Sequence, residues 1–202
     1  MNATGGSSEA ITFLNEHEAV TVDVLAGRII PGSEEDPGAH EAGAVTYIDR
    51  ALAGPYRNLQ RLYRAGLAAL DASCLERWGR KFVELDGGEQ DSVLEGLAQG
   101  GLDSAVAAER SEAASEEMFD IGFLPYFFAV LRQHVVEGTF GDPVYGGNRN
   151  AVGWRLLGFP GARWGYGEEE MTYGFDSSTL PTVTLQDLRR ERKQQRGEPD
   201  NG

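Results

Sequence analysis

Three histidines, one cysteine and a few nearby acids are the residues of this chain whose types could do chemistry. His134 lies on an apolar stretch with Glu137 and Asp142 following, a spacing that would suit a general base with a carboxylate partner. The same residue near a helix C-terminus also suits a structural histidine interacting with the helix dipole, and the pattern favours that role. His17-Glu18 and His40-Glu41 open the zinc-protease signature HExxH, but neither has the second histidine. Cys74 stands alone, which excludes an internal disulfide and any CxxC site, and reads as a partly buried small hydrophobe rather than a reactive thiol. A zinc site of His and Cys would need nearly all four of these residues to converge. Asp49 and Arg50 are adjacent on a helix and so do not face each other. There is no GxGxxG, no phosphate loop with its lysine and no GxSxG elbow. The chemistry-bearing residues therefore favour a non-catalytic protein that works through an interface.

The elements that would position these residues are helical. The chain has 202 residues, 41% hydrophobic and 25% charged, enough for one domain with a real core. Asn15 offers an N-cap with Glu16 and Glu18 in the first turn, and Val20, Val24, Leu25 and Ile29 form one face until Pro31-Gly32. Val45, Ile48 and Leu52 mark a helix over about 44–52, stopped by Gly54-Pro55. Leu59, Leu62, Tyr63, Leu67 and Leu70 mark the next. A weaker helix is expected over 75–82, a break at Gly87-Gly88, and a short helix around Val93, Leu94 and Leu97. Ala105 to Glu117 has good helix propensity but little apolar stripe. Pro125 opens the most hydrophobic helix, with Phe127, Phe128, Leu131 and Val135, and Gly138 is the expected C-cap. The fold class is mostly α: a small single-domain helical bundle with a long Gly/aromatic-rich C-terminal loop and an extended tail. Residues 1–10 read as a flexible N-terminus, 11–165 as the helical domain including the loop 138–165, and 166–202 as the tail.

Residues 138–167 depart from periodicity. Glycines alternate with Tyr145, Trp154, Phe159, Trp164 and Tyr166, and Arg149, Arg155 and Arg163 complement them. Asn150 is the expected cap of a short helix 151–157, closed by Gly158. Long irregular connections inside compact domains are functional or disordered, and the aromatics argue for an interface. Trp154 and Phe159 divide evenly between capping the core and meeting a partner; Trp164 and Tyr166 point to a partner. Glu168-Glu169-Glu170 reads as a solvated stretch, and Thr184 with Asp187 as the capping pair of a basic helix from Leu185 to about Gln195.

Charge supports this division. The net charge of −14 argues against DNA or an anionic membrane. Residues 1–120 hold 22 acids and 9 bases, and 121–202 hold 10 acids and 9 bases. The longest run without charged or strongly polar residues, Ile121 to Leu131, falls well short of the ~20 residues of a spanning helix. No secretory signal opens the chain.

Three blocks resemble the gluconate 2-dehydrogenase subunit 3 family. They are Leu25-Ala-Gly-Arg-Ile-Ile-Pro-Gly32 with Pro37-Gly-Ala39 and Ala42-Gly-Ala-Val45; Tyr47-Ile-Asp-Arg-Ala-Leu-Ala-Gly-Pro55 leading to Tyr63-Arg-Ala-Gly-Leu67; and Glu137-Gly-Thr-Phe-Gly-Asp-Pro-Val-Tyr-Gly-Gly-Asn-Arg149 with Gly153-Trp154 and Gly158-Phe-Pro-Gly161. The resemblance implies a small helical subunit without a cofactor of its own. It would pair with a large FAD-dependent dehydrogenase of the glucose–methanol–choline type that oxidises sugars or polyols, often with a cytochrome subunit. The small subunit would bind and stabilise that flavoprotein. An alternative is a dedicated assembly chaperone, and a third is a stand-alone enzyme using His134. The partner-binding residues expected on this basis are Phe140, Asp142, Pro143, Tyr145, Gly146, Gly147, Asn148, Arg149, Trp154, Phe159, Pro160, Trp164 and Tyr166, with Arg149 suited to a bidentate bond to a partner carboxylate. Many relatives begin with a twin-arginine export signal. Met1 to Phe13 holds no arginine, so the expectation is a cytoplasmic complex, or a periplasmic one where a signal has been removed.

Overall fold

The computed structural model describes residues 11–100 and 122–196. Eight α-helices run through them: α1 (Glu16–Ile29), α2 (Ala39–Ala42), α3 (Ala44–Ala53), α4 (Gln60–Trp78), α5 (Gly87–Ala98), α6 (Phe123–Phe140), α7 (Val152–Leu156) and α8 (Leu185–Arg196). Among the described residues there is no strand, and one isolated bridge joins Gly161 to Val183. The expected mostly-α domain is what forms. Residues 1–10 and the helical stretch expected over 105–117 lie outside the described residues.

Helix starts follow their caps. Asn15 caps α1 as expected, its side chain accepting from the Glu18 amide while the Glu18 carboxylate accepts from the Asn15 amide. The buried face of α1 differs from the expected one. Ala19, Val22, Leu25 and Ala26 turn inward, and Val20 is exposed. The two valine-bearing faces compete, and the alanines decide because they let α1 lie close to its neighbours. Gly87-Gly88 does not break the chain but opens α5, because Asp86 and Glu89 form a capping box in front of it. The first helical turn has no intrahelical amide bonds to lose, so glycine is tolerated there. No separate helix forms over 75–82: α4 runs on to Trp78 and ends at Gly79, where φ is +69°, and residues 82–84 make one 3₁₀ turn.

α6 is the axis of the bundle. It contacts α1 to α5 and α7, most extensively α3. Leu124, Phe127, Phe128, Leu131 and Val135 are buried along it, against Ile48 and Leu52 of α3 and Tyr63, Leu67 and Leu70 of α4. Leu59 and Leu62 pack only partly buried at the edge of this core. Tyr63 meets Phe127 edge-on at 5.5 Å. Gly66 on α4 faces the Phe127 ring so closely that a methyl group there would overlap it.

Asp49 has a role the sequence did not suggest. Its carboxylate is buried and accepts the amides of Thr12, Phe13 and Leu14 at 2.7, 2.9 and 2.8 Å. Arg64 completes the clasp: it donates to the Phe13 carbonyl at 2.7 Å, lies over the Phe13 ring and pairs with Glu18. A single acid on α3 thereby fixes the chain segment that enters α1.

The Gly66–Phe127 contact makes a direct prediction. Gly66→Ala should destabilise the domain by about 1–3 kcal/mol through overpacking, which corresponds to a fall of roughly 2–4 °C in Tm per kcal/mol. Thermal unfolding followed by circular dichroism checks this. An unchanged Tm would mean that the ring moves aside without penalty.

Candidate functional site

The loop after α6 is irregular but firmly built. α6 does not stop at the expected cap, Gly138; it runs to Phe140 with Gly141 as its cap. Gly138 is instead a contact point. A Cβ there would sit 3.0 Å from the Ala44 Cα and 3.1 Å from the Tyr47 Cβ. Its carbonyl accepts the Asn148 amide at 2.6 Å, and Gly147 lies so close to that carbonyl that no side chain could fit.

Asn148 is the staple of the loop. It is wholly buried and lies in the left-handed region at φ +43°. Its Nδ2 donates to the Gly141 carbonyl at 2.8 Å, and its Oδ1 accepts the Gly153 amide at 2.8 Å. Asn148, not the expected Asn150, therefore ties down the start of α7. Asn150 and Ala151 are themselves left-handed, at φ +55° and +54°, and the side chain of Asn150 makes no cap. Three non-glycine positions of this kind within four residues persist only where the surroundings over-determine them.

The thirteen residues singled out from the sequence fall into two sets. Gly147, Asn148, Trp154 and Pro160 are buried and build the loop. Trp154 donates its Nε1–H to the Phe140 carbonyl at 2.7 Å and meets Phe159 edge-on. Phe140, Pro143 and Gly146 are half-buried, and Gly146 at φ +101° packs against the Arg50 side chain. Asp142 is also half-buried and joins the loop to the tail: its Oδ1 accepts the Val144 amide and its Oδ2 accepts the Leu185 amide at the start of α8, each at 2.9 Å. The other set points outward. Tyr145, Arg149, Phe159, Trp164 and Tyr166 are exposed, Trp164 to 77%.

Met171 and Tyr173, both exposed and Tyr173 fully so, extend this apolar surface and were not singled out; the acidic run 168–170 masked them. Within that run, Glu170 accepts the Gly167 amide and lies 3.8 Å from Arg163. The segment after it folds back. Ala162 donates to the Val183 carbonyl, Val183 donates to the Pro160 carbonyl, and Leu188 of α8 is buried. Thr184 and Asp187 cap α8 as expected.

The residues suspected of chemistry are bound up internally. His134 is buried, stacked on Tyr56 at 4.6 Å, with its Nδ1 2.8 Å from the Tyr63 hydroxyl. This is a correction to the helix-dipole expectation: α6 continues beyond His134, and the Tyr63 hydroxyl is its partner. Burial lowers the His134 pKa and outweighs the opposing pull of Glu137. Glu137 accepts from the Tyr47 and Tyr56 hydroxyls at 2.7 and 3.2 Å and from Gln133 at 2.9 Å. Burial pushes its carboxyl up, but these hydrogen bonds and the nearby His134 bring it below the ordinary value. Burial and the Glu137 charge raise both Tyr47 and Tyr63. Cys74 is buried, and its thiol is pushed up to about 12, first by burial and then by Asp71. His17 pairs with Asp71 and His40 with Asp23. Among the described residues no three metal-ligating side chains come together.

A helical body with its polar groups engaged internally, carrying a pinned aromatic loop at one end, is a small all-α domain with a presented surface. The chain belongs to the gluconate 2-dehydrogenase subunit 3 family, whose model matches residues 16–161 and so takes in both the bundle and the loop. No curated protein and no solved structure matches the chain.

Two predictions follow from this geometry. Asn148→Ala leaves the Gly153 amide and the Gly141 carbonyl without their partner, at about 1–3 kcal/mol for each group that stays buried. Limited proteolysis should then cut within residues 141–161 before the body unfolds; cleavage at the wild-type rate would show that the glycine contacts hold the loop without it. The second concerns acid. The Glu137 carboxylate is depressed in the fold, so its contribution is present above its unfolded pKa and lost as pH falls through the folded one. His134 is also depressed, so the unfolded chain takes up its proton first and stability declines from about pH 6.5 downward. Tm should be flat near pH 7 to 8 and fall below, with the onset of the fall moved toward the carboxylate range in His134→Gln. The same onset in both proteins would overturn this assignment.

Proposed function

We propose that this chain is the non-catalytic subunit of a heteromeric dehydrogenase, binding and stabilising a large FAD-containing subunit of the glucose–methanol–choline type. Family membership over residues 16–161 carries the reading, and it is supported by where the structure spends its order. Left-handed residues and close glycine contacts hold the loop 141–161, so presenting its exposed Tyr145 and Phe159 to a partner loses little entropy, and Trp164 and Tyr166 follow directly after it. FAD, which supplies hydride and electron transfer, belongs in this reading to the partner. What this chain contributes is buried area and fixed geometry on the flavoprotein's surface. The alternatives are separable by stoichiometry: a subunit remains at a constant ratio in the active enzyme, whereas an assembly chaperone leaves before turnover.

The experiment is a tagged pull-down from the native host with mass spectrometry and a visible spectrum. A dehydrogenase-sized partner with flavin absorbance should co-elute at fixed stoichiometry. In the same assay Trp164→Ala with Tyr166→Ala should weaken the complex, each truncation removing on the order of 1–4 kcal/mol if it is a hot spot. Deleting residues 141–166 should abolish recovery. Stoichiometric recovery of the flavoprotein with the deleted chain would refute the docking role, and a colourless solitary chain would refute the subunit reading.

A further inference from the structure

The chain leaves the end of the bundle at Pro160 and comes back at Val183, and these two points are clamped together. Val183 donates to the Pro160 carbonyl at 3.0 Å, and Ala162 donates to the Val183 carbonyl at 2.7 Å. Gly161, at φ +83°, lies so close to that carbonyl that no side chain could fit. We propose that the loop closed by this clamp, residues 163–175, docks into an apolar groove with a basic rim on the flavoprotein subunit, an inference that rests on the subunit reading above.

The loop holds its own shape. Arg163 at its base is engaged inward, donating to the Pro181 carbonyl at 3.0 Å and lying 3.8 Å from Glu170. Glu170 accepts the Gly167 amide, Met171 donates to the Gly167 carbonyl, and Phe175 donates to the Thr172 carbonyl. On the returning limb the Ser177 hydroxyl donates to the Gly158 carbonyl, back on the family-matched part of the chain. Loops whose ends meet and whose own groups bind them together often carry function. This one turns its largest apolar side chains away from the body: Trp164 and Met171 are mostly exposed, the latter to 68%, and Tyr173 is exposed completely. Rings and a thioether held in water on an ordered loop add nothing to the core; they are the residue types that fill an apolar groove on another protein.

Charge names the rim of that groove. Glu170 is turned inward to Arg163, but Glu168 and Glu169 are exposed and make no ion pair among the described residues. Two open carboxylates therefore stand between Tyr166 and Met171, in the middle of the apolar run. Interfaces keep apolar groups at their centre and charges at their edge, so the matching surface is apolar inside with Lys or Arg around it. A second copy of this chain, at a net charge of −14, is repelled by the same carboxylates, as are a nucleic acid and an anionic membrane. The loop also lies beyond residues 16–161, the part matched by the family model. It adds a contact outside the matched bundle and pinned loop, on the kind of surface segment where proteins place individual binding residues.

The test uses the full chain co-produced with the flavoprotein that the pull-down identifies. Tyr173 is replaced by the photo-crosslinker p-benzoylphenylalanine, and the crosslinked residue is located by mass spectrometry. The expected product joins the loop to a flavoprotein segment in which Lys and Arg outnumber Asp and Glu. A crosslink into a net acidic segment, or into a second copy of this chain, overturns the proposal. In parallel, Met171→Ala with Tyr173→Ala should weaken the dissociation constant about tenfold or more at unchanged Tm, as loss of buried anchors does. Glu168→Lys with Glu169→Lys should weaken it too, by a factor that shrinks as salt is raised. If the complex forms and both double variants bind as tightly as wild type, the loop is not a docking element and the subunit reading stands. If no flavoprotein complex forms with the wild-type chain, both fall together.

Discussion

The structure depends on how closely α6 can approach its neighbours. At one end Phe127 packs onto the bare backbone of Gly66. At the other, Gly138 lets α3 come within van der Waals contact and keeps its own carbonyl open to the loop, where Asn148 takes it. Both contacts need the absence of a side chain, and they lie toward opposite ends of α6, at Phe127 and at Gly138. The bundle is therefore tight enough for the loop to fold onto the end of α6 instead of hanging from it. Rigidity in the loop is inherited from packing in the core.

This explains why the fold was legible in the sequence and the site only partly so. Apolar residues at three- and four-residue spacing reveal α3, α4 and α6 directly, because burial of one face is what stabilises those helices. The Asn15 and Thr184 caps were legible for the same reason: a short-range pattern satisfies a short-range need. Misreadings arose where a glycine had two meanings. Gly87-Gly88 and Gly138 have the local signature of helix breakers, yet one pair follows a capping box and the other residue sits at a helix crossing. The capping box of Asp86 and Glu89 is local to Gly87-Gly88, whereas the surface that Gly138 meets, Ala44 and Tyr47, is remote in sequence. Asn148 and Asn150 show the same limit, since either can cap in principle and the Gly138 carbonyl decides between them.

Buried polar chemistry was the least legible feature. Asp49 carried no sign in the sequence beyond its adjacency to Arg50, which it does not face; it is the acceptor for three amides more than thirty residues away. His134 resembled a general base with acids in reach. In the structure, Glu137 serves two tyrosines and Asp142 serves the tail. Neither of these two acids is left to orient His134, and burial favours its neutral form. A base poised for catalysis needs a path to a proton; this one is stacked on a tyrosine ring and closed by a second hydroxyl.

The division of labour in the loop follows from that economy of polar groups. The strong hydrogen-bonding groups near α6 are committed internally, Glu137 to tyrosine hydroxyls and Asp142 and Asn148 to the backbone. What remains at the surface is ring faces and guanidinium groups, which suit recognition far better than reaction. Such a surface works only if it is held still, since each ordered aromatic would otherwise forfeit part of its contact energy on binding. Left-handed backbone at residues 148, 150 and 151 is strain that a free loop would release. That it is retained, under the stacked contacts of Gly138, Gly147 and Gly153, shows that the fold holds the loop in one shape before any partner arrives.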